Sequence, residues 1–308
     1  MISIFKHKKL TWVDLENPTN DEVKEIMHKY SIHPLVANEL LKPTFRAKVD
    51  VFKEFIYLVI HFPIFDNTTR SYADCEIDFI VGKNFLITTH YKIIPPLFEM
   101  TKIFEADAML GEKYLTKNTG VLMFHIVRQL YNYSLKQMDT VQVKIADIEE
   151  KMFDKGRGAQ YGLVRKISHV RRDILDFRRI IHPHKEVFIS MEHTGKAFFN
   201  DDGFDLYFSN IMGEYYKIWN IASGYKETIE SLQGTIDSLL THRSNEIMRT
   251  FTIMAFISFP LMLFTNIFIM NTEFLSLVGY TADFWIILGI MILVTVSMLS
   301  YFKRKKWL

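Results

Sequence analysis

The chain has 308 residues, with 37 basic against 35 acidic side chains and a single cysteine, Cys75. That length is enough for two domains, and the near balance of charge argues against a dedicated nucleic-acid binder. One cysteine excludes an intrachain disulfide framework and a cysteine zinc cluster within one subunit, which fits a reducing compartment.

At the N-terminus Lys6, Lys8 and Lys9 are present without an apolar core segment, so no cleaved signal peptide is expected. Residues 1–118 read as an α/β domain in the cytoplasm. Trp12-Val13-Asp14-Leu15 has the composition of a strand, and Asn17-Pro18-Thr19 ends it and leads into a capped helix from Asp21 to Tyr30. Phe55 to Ile60 is rich in β-branched and aromatic residues and predicts a buried strand. Glu76 to Val81 and Phe85 to Thr89, joined by Gly82-Lys83-Asn84, predict a hairpin. Such a domain is either a packed scaffold, the commoner case, or a ligand sensor.

From Thr119 the pattern turns helical. Val121, Phe124, Val127, Leu130 and Tyr131 recur at spacings of three and four, and the stripe continues through Leu135, Met138 and Ile145. Gly156-Arg157-Gly158 reads as a turn, and a second helix runs from about Gly162 past Arg179, so 119–200 is predicted as an antiparallel helical hairpin. Its first helix carries Asp139, Asp147, Glu149, Glu150 and Asp154; its second carries Arg165, Lys166, Arg171, Arg172, Arg178 and Arg179. Pairing between helices explains these charges more simply than a phosphate or nucleic-acid site. His182-Pro183-His184 is the one tight histidine pair, and Pro183 marks a helix end more readily than the histidines mark a metal site.

Beyond the polar stretch Asn200 to Gly203, no proline occurs until Pro260, so one stalk helix is expected over 201–270. At 1.5 Å per residue it reaches roughly 90 Å, and so long a helix needs packing against copies of itself or the preceding hairpin. Two uncharged apolar runs close the chain, Thr250 to Met270 and Phe284 to Phe302. Each has about 20 residues, enough for a hydrocarbon core of about 30 Å. His242, Arg243 and Arg249 precede the first run and Lys303 to Lys306 follow the second, while the joint 271–283 holds only Glu273 and Asp283. The positive-inside rule then predicts a multi-pass membrane protein with both termini cytoplasmic, transmembrane helices at about 250–270 and 284–302, an external loop at 271–283 and a basic tail at 303–308.

On the helix that carries the first run, Asn245, Met248, Thr252, Ala255, Phe259, Met262 and Asn266 alternate spacings of three and four, a period of about 3.5 that keeps one face on a common seam. Polar ends and an apolar middle suit a water pathway with a dewetting constriction. A helix-packing seam without a pathway gives the same pattern.

Asn245-Glu246-Ile247-Met248-Arg249, Pro260-Leu261, Met270-Asn271 before an acidic loop, and the ending Tyr301-Phe302-Lys303-Arg304-Lys305-Lys306-Trp307-Leu308 resemble the CorA family of magnesium and cobalt channels, as does Trp12-Val13-Asp14-Leu15-Glu16-Asn17-Pro18 near the start. The resemblance covers the whole chain in order. It implies a funnel-shaped homopentamer of α+β cytoplasmic domains, long helical stalks and two C-terminal transmembrane helices in the plasma (inner) membrane. It also implies a pore mouth of Met270 and Asn271 with Ile269 and Glu273 beside them, and a pore lined by the seam with Phe251 and Phe259 as bulky gate residues.

The departures are specific. The family's Gly-Met-Asn reads Ile269-Met270-Asn271 here, and a β-branched residue resists a left-handed backbone by roughly 1 to 2 kcal/mol. Asn266 replaces a small residue. Asn210 and Gly234 stand where the family has aspartates, with Asp237 one turn away, so a regulatory magnesium site is weakened.

The resulting expectation is Mg²⁺ uptake, or Co²⁺ uptake, down the membrane potential. The transported ion is hydrated Mg²⁺, and no cofactor, enzymatic activity or high-affinity protein metal ligand set is expected. Expected partners are membrane lipid, divalent cations and further copies of the chain, but no nucleic acid. Two alternatives stand beside it: a non-conducting CorA-like scaffold or regulatory subunit, and a relative retuned to Zn²⁺, Ni²⁺ or Co²⁺. Glu39, Asp50, Asp74 and Asp78 are expected as cytoplasmic surface carboxylates open to cations.

Overall fold

Residues 1–7, 9–66, 68–110, 118–152, 159–199, 204–269 and 283–305 are described by the structure, a computed structural model of the chain. Two compact units divide it, Met1–Gln233 and Gly234–Leu308. The first therefore includes the helices that follow residue 118. They are not a separate domain, because their apolar stripes cover the sheet.

That sheet is built from β1 (Ile2–His7), β2 (Leu10–Glu16), β3 (Lys48–Val51), β4 (Phe55–Asp66), β5 (Ser71–Gly82) and β6 (Phe85–His90) in the order β1-β2-β6-β5-β4-β3. Only the β2–β6 pair is parallel among these strands; the β5–β6 hairpin forms as expected, with Ile80 opposite Ile87. A Cβ on Gly82 would collide with the Phe85 ring, so glycine there lets that ring lie against the turn. β4 runs six residues past the expected Ile60. Its partner β3 reaches only Val59, so beyond that point β4 is an edge, the position in a sheet that tolerates Pro63.

One face of the sheet is covered by α1 (Asn20–Tyr30) and α2 (Pro34–Glu39). α1 starts at a capping box: Thr19 Oγ1 accepts from the Glu22 amide at 3.4 Å and the Glu22 carboxylate accepts from the Thr19 amide at 2.8 Å. Val23, Ile26, Val36 and Leu40 of this layer close a core with Val13, Leu15, Tyr57, Val59, Ile80 and Ile87 of the strands.

The other face meets α3 (Pro95–Leu110), α4 (Thr119–Met152), α5 (Ala159–Ile181) and α6 (His184–Phe199). Trp12 meets Phe104 edge-on, Tyr72 meets Phe177, and Phe62 meets both Tyr131 and His184. Thus 119–200 holds three helices, not a two-helix hairpin: α5 stops at Ile181, before Pro183, and α6 begins at His184. The glycine turn at 156–158 lies outside the described residues. Helix pairing of charge is present as Lys166–Asp147 at 2.8 Å, and also in the reverse sense as Lys144–Asp173 at 2.9 Å. Arg178 instead stacks its guanidinium over Trp219.

α7 (Phe204–Ile269) is one 66-residue helix that begins in the first unit, where Tyr215, Ile218, Ala222 and Ile229 are buried and Tyr225 donates to Gln142 at 3.2 Å. The second unit holds the remainder of α7 from Gly234 together with α8 (Asp283–Arg304).

Candidate functional site

The second unit is the natural place to look for a transport path, because both of its helices carry apolar stretches that the chain leaves uncovered. α7 and α8 are each long and apolar enough to cross a membrane, and only 6% of each apolar window is buried within the chain. α7 keeps its course through Pro260, which removes one backbone donor. Nearby hydroxyls bond the helix's own carbonyls: Thr252 donates to Met248 at 2.8 Å and Thr265 to Leu261 at 2.8 Å.

Contact between the two helices marks one face of α7. Phe256 meets Phe302 edge-on, with ring centroids 6.5 Å apart, and Ile253 and Phe302 are buried. Ile253, Ile257, Pro260 and Phe264, all buried or half-buried, recur on that face. Asn245, Met248, Ala255, Phe259, Met262 and Asn266 are exposed, and Thr252 is half-buried. At 3.6 residues per turn their mean direction lies about 140° around the helix from the covered stripe. The expected seam is therefore on the far side of α7 from α8, polar at both ends and apolar between. Phe251, also exposed, borders the seam instead of lying on it. Met270, Asn271 and Glu273, and the side chain of Ile269, lie outside the described residues.

The other expected ion-binding positions are scattered. Asn210 is exposed on the part of α7 that belongs to the first unit, and Asp237 is exposed in the second. Of the four carboxylates expected on the surface, two are engaged by a lysine: Lys48 Nζ lies 2.7 Å from Glu39 and 2.9 Å from Asp50. Asp74 is the partner of His61 Nδ1 at 2.7 Å. Asp78 is not on the surface at all. It is fully buried, with the Tyr91 hydroxyl 3.5 Å from its Oδ2, because its position on β5 points toward the same layer as Ile80. Among the described residues no three His, Cys, Asp or Glu side chains converge to hold a metal ion. His182, exposed, lies tilted against Trp219, while His184 is buried between the Tyr131 hydroxyl and the His61 carbonyl, where it serves packing.

What sequence reading missed is a group of buried polar side chains in the first unit. Glu76 and Asp78 lie two residues apart on the same buried face of β5, and burial pushes both above the usual carboxylate range. At the sheet's other side His90 lies 3.3 Å from Asp14, with its second ring nitrogen on the Lys92 carbonyl at 2.6 Å. Burial opposes a charge on that imidazole, but the bond to Asp14 and its negative charge prevail and raise its pKa. Acids at alternate positions of an apolar strand, as in Asp74-Cys75-Glu76-Ile77-Asp78, were the available signal.

The model of the family described as CorA-like Mg²⁺ transporter protein matches residues 7–304. The chain belongs to this family. It is 22% identical over 299 residues to the cobalt/magnesium transport protein CorA of Thermotoga maritima, covering 97% of this chain and 83% of that one. It is 20% identical over 312 residues to the cobalt/magnesium transport protein CorA of Methanocaldococcus jannaschii, covering 99% and 93%. The solved structure of the CorA magnesium transporter from M. jannaschii superposes with a TM-score of 0.84 at 18% identity, over 99% of this chain and 93% of the other. The fold is thus the CorA fold: an α+β body, a long helix and two C-terminal apolar helices. As a CorA-like protein the chain is a divalent-cation transport protein of a membrane, in a family of transporters and not of enzymes.

Proposed function

We propose that the chain conducts hydrated Mg²⁺, or Co²⁺, inward across the plasma (inner) membrane through a homopentameric pore, with both termini in the cytoplasm. The observation that carries this reading is the seam on the uncovered side of α7, with Asn245 and Asn266 at its ends and Met248, Ala255, Phe259 and Met262 between. Five such faces around an axis form amide rings that bracket an apolar constriction. Mg²⁺ sheds inner water reluctantly, so neutral amide oxygens, those of Asn266 and Asn271, suit a hydrated ion better than a charged cage does. The membrane potential contributes on the order of 4.6 kcal/mol for a divalent ion at 100 mV, so no ATP site is needed. The names of the relatives, which specify magnesium and cobalt, agree with the choice of ion.

A second reading is a non-conducting member of the family, favoured by Ile269 in place of glycine and by Asn210 and Gly234 in place of aspartates. Proteoliposome flux with Mg²⁺, Co²⁺, Zn²⁺ and Ni²⁺ separates the two. The pore reading expects potential-driven Mg²⁺ entry that rises when Phe259→Ala opens the constriction. Absence of flux from pentameric protein, with flux gained on Ile269→Gly, would establish the non-conducting reading.

A further inference from the structure

Two acids stand two residues apart on one face of β5 without a lysine or arginine partner among the described residues. Asp78 is wholly buried and Glu76 nearly so, at 5% exposure. Two carboxylates this close and this far from water repel, which favours a state in which one of them carries a hydrogen. Every neighbouring element contributes groups, and no lysine or arginine among them reaches either acid. From β4, Tyr57 brings a buried hydroxyl with no hydrogen-bond partner, and His61 keeps its Nδ1 on Asp74 with Nε2 3.8 Å from Glu76, beyond hydrogen-bond reach. From α2 comes Glu39, and from β3 Lys48, which is held by Glu39 and Asp50. From the segment after β6 the Tyr91 hydroxyl lies 3.5 Å from Asp78 Oδ2 and 3.3 Å from the Glu39 carbonyl. Asp78 Oδ1 has no hydrogen-bond donor, and no lysine or arginine pairs with either acid among the described residues.

Glu76 also holds a loop. It accepts from the Thr44 amide at 2.5 Å and from the Thr44 hydroxyl at 3.2 Å, and Thr44 lies in the connection between α2 and β3. Beside this contact is a cavity of about 270 Å³ lined by Thr44, Phe45, His61, Asp74, Glu76 and Lys92 among others.

We propose that Glu76 and Asp78 form a proton-binding site, sharing one proton at neutral pH, whose loss releases the Thr44 loop. When the proton leaves, two adjacent buried charges repel. Glu76, the one that borders the cavity, turns into it toward His61 and Lys92 and gives up both bonds to Thr44. The ligand is a proton and the responsive element is the 40–47 connection. Burial of the acids favours their neutral forms, in the same direction.

Hydrogen exchange of the full chain in lipid nanodiscs, followed by mass spectrometry from about pH 6 to about pH 9, covers the range in which buried carboxyls titrate. After division by the exchange rate of unstructured peptide at each pH, protection of the segment containing Thr44 is expected to fall about tenfold per pH unit above the titration point, as the loss of one proton requires. In Asp78→Asn the carboxamide donates to an ionised Glu76, so protection is expected to be independent of pH. Glu76→Gln keeps an acceptor for the Thr44 amide and is expected to behave likewise; it serves if Asp78→Asn does not fold. A wild-type segment whose corrected protection is flat across the range, or variants that keep the wild-type slope, overturns the proposal. So does a neutral-pH infrared spectrum without a protonated-carboxyl band that Glu76→Gln removes.

Discussion

His184 is fully buried at the junction of α4, α6 and β4. Its Nε2 faces the His61 carbonyl at 2.6 Å and its Nδ1 the Tyr131 hydroxyl at 2.7 Å, so the neutral ring donates to the carbonyl and accepts from the hydroxyl. Phe62 and Phe188 surround it, and burial pulls its pKa from 6.5 down to about 4. A histidine depressed in the folded state gives stability that is complete above the unfolded pKa and is lost as pH falls through the folded one. Here that loss falls between about pH 6.5 and pH 4, and at about 1.36 kcal/mol per unit it amounts to roughly 3 kcal/mol. Glutamine at this position keeps one donor and one acceptor but does not titrate. The difference in unfolding free energy between wild type and His184→Gln should therefore shrink by about 3 kcal/mol from pH 7 to pH 4. The contributions of His90 and of the Glu76–Asp78 pair, whose raised pKa values act in the opposite sense, are common to both proteins and cancel. Urea unfolding of the full chain in detergent, read by the fluorescence of its four tryptophans, supplies the numbers. A difference that stays constant across this range would refute the argument.

The Lys144–Asp173 pair is asymmetric, with Asp173 almost buried and Lys144 partly exposed. Lys144→Met strands a buried carboxylate and should cost about 3 kcal/mol. Asp173→Asn leaves a lysine free to turn to water and should cost clearly less in the same urea titration, so equal costs would contradict the pairing argument. Thr19→Ala removes the side-chain acceptor of the α1 capping box and should lower stability by about 1 kcal/mol, with faster amide exchange confined to the first turn of α1.

How far the sequence is legible depends on whether one local pattern decides an element. The β5–β6 hairpin and the course of α7 follow from runs long enough to outvote their exceptions. β4 was read short because His61 and Pro63 look like the end of a strand; the shortness of β3 is what makes them acceptable, and that is a fact about a neighbour. β1 escaped notice because an edge strand with Ser3, Lys6 and His7 buries little. Pro183 was recognised as a break, but α6 after it was absorbed into a hairpin, since periodicity does not say that a new helix has turned onto the sheet. The exposed seam of α7, the face proposed to line a pore, is legible because its period of about 3.5 is a property of one helix. Asp78 was misplaced for the opposite reason. Alternation assigns it to one side of β5, and the groups that turn that side into an interior, α2 and Tyr91 after β6, are distant in the sequence.

The amide of Asn266 has a consequence for how the protein is made. It is exposed within the apolar stretch of α7, on the side that α8 does not cover. A newly inserted single copy would hold that amide against lipid, where a polar group finds no water and costs free energy. Neighbouring copies relieve the cost by supplying hydrogen-bond partners or enclosing water. In the proposed pore, the side chain that would serve the ion in the assembled state would thus also penalise the unassembled one, and bias the lone subunit toward finding others.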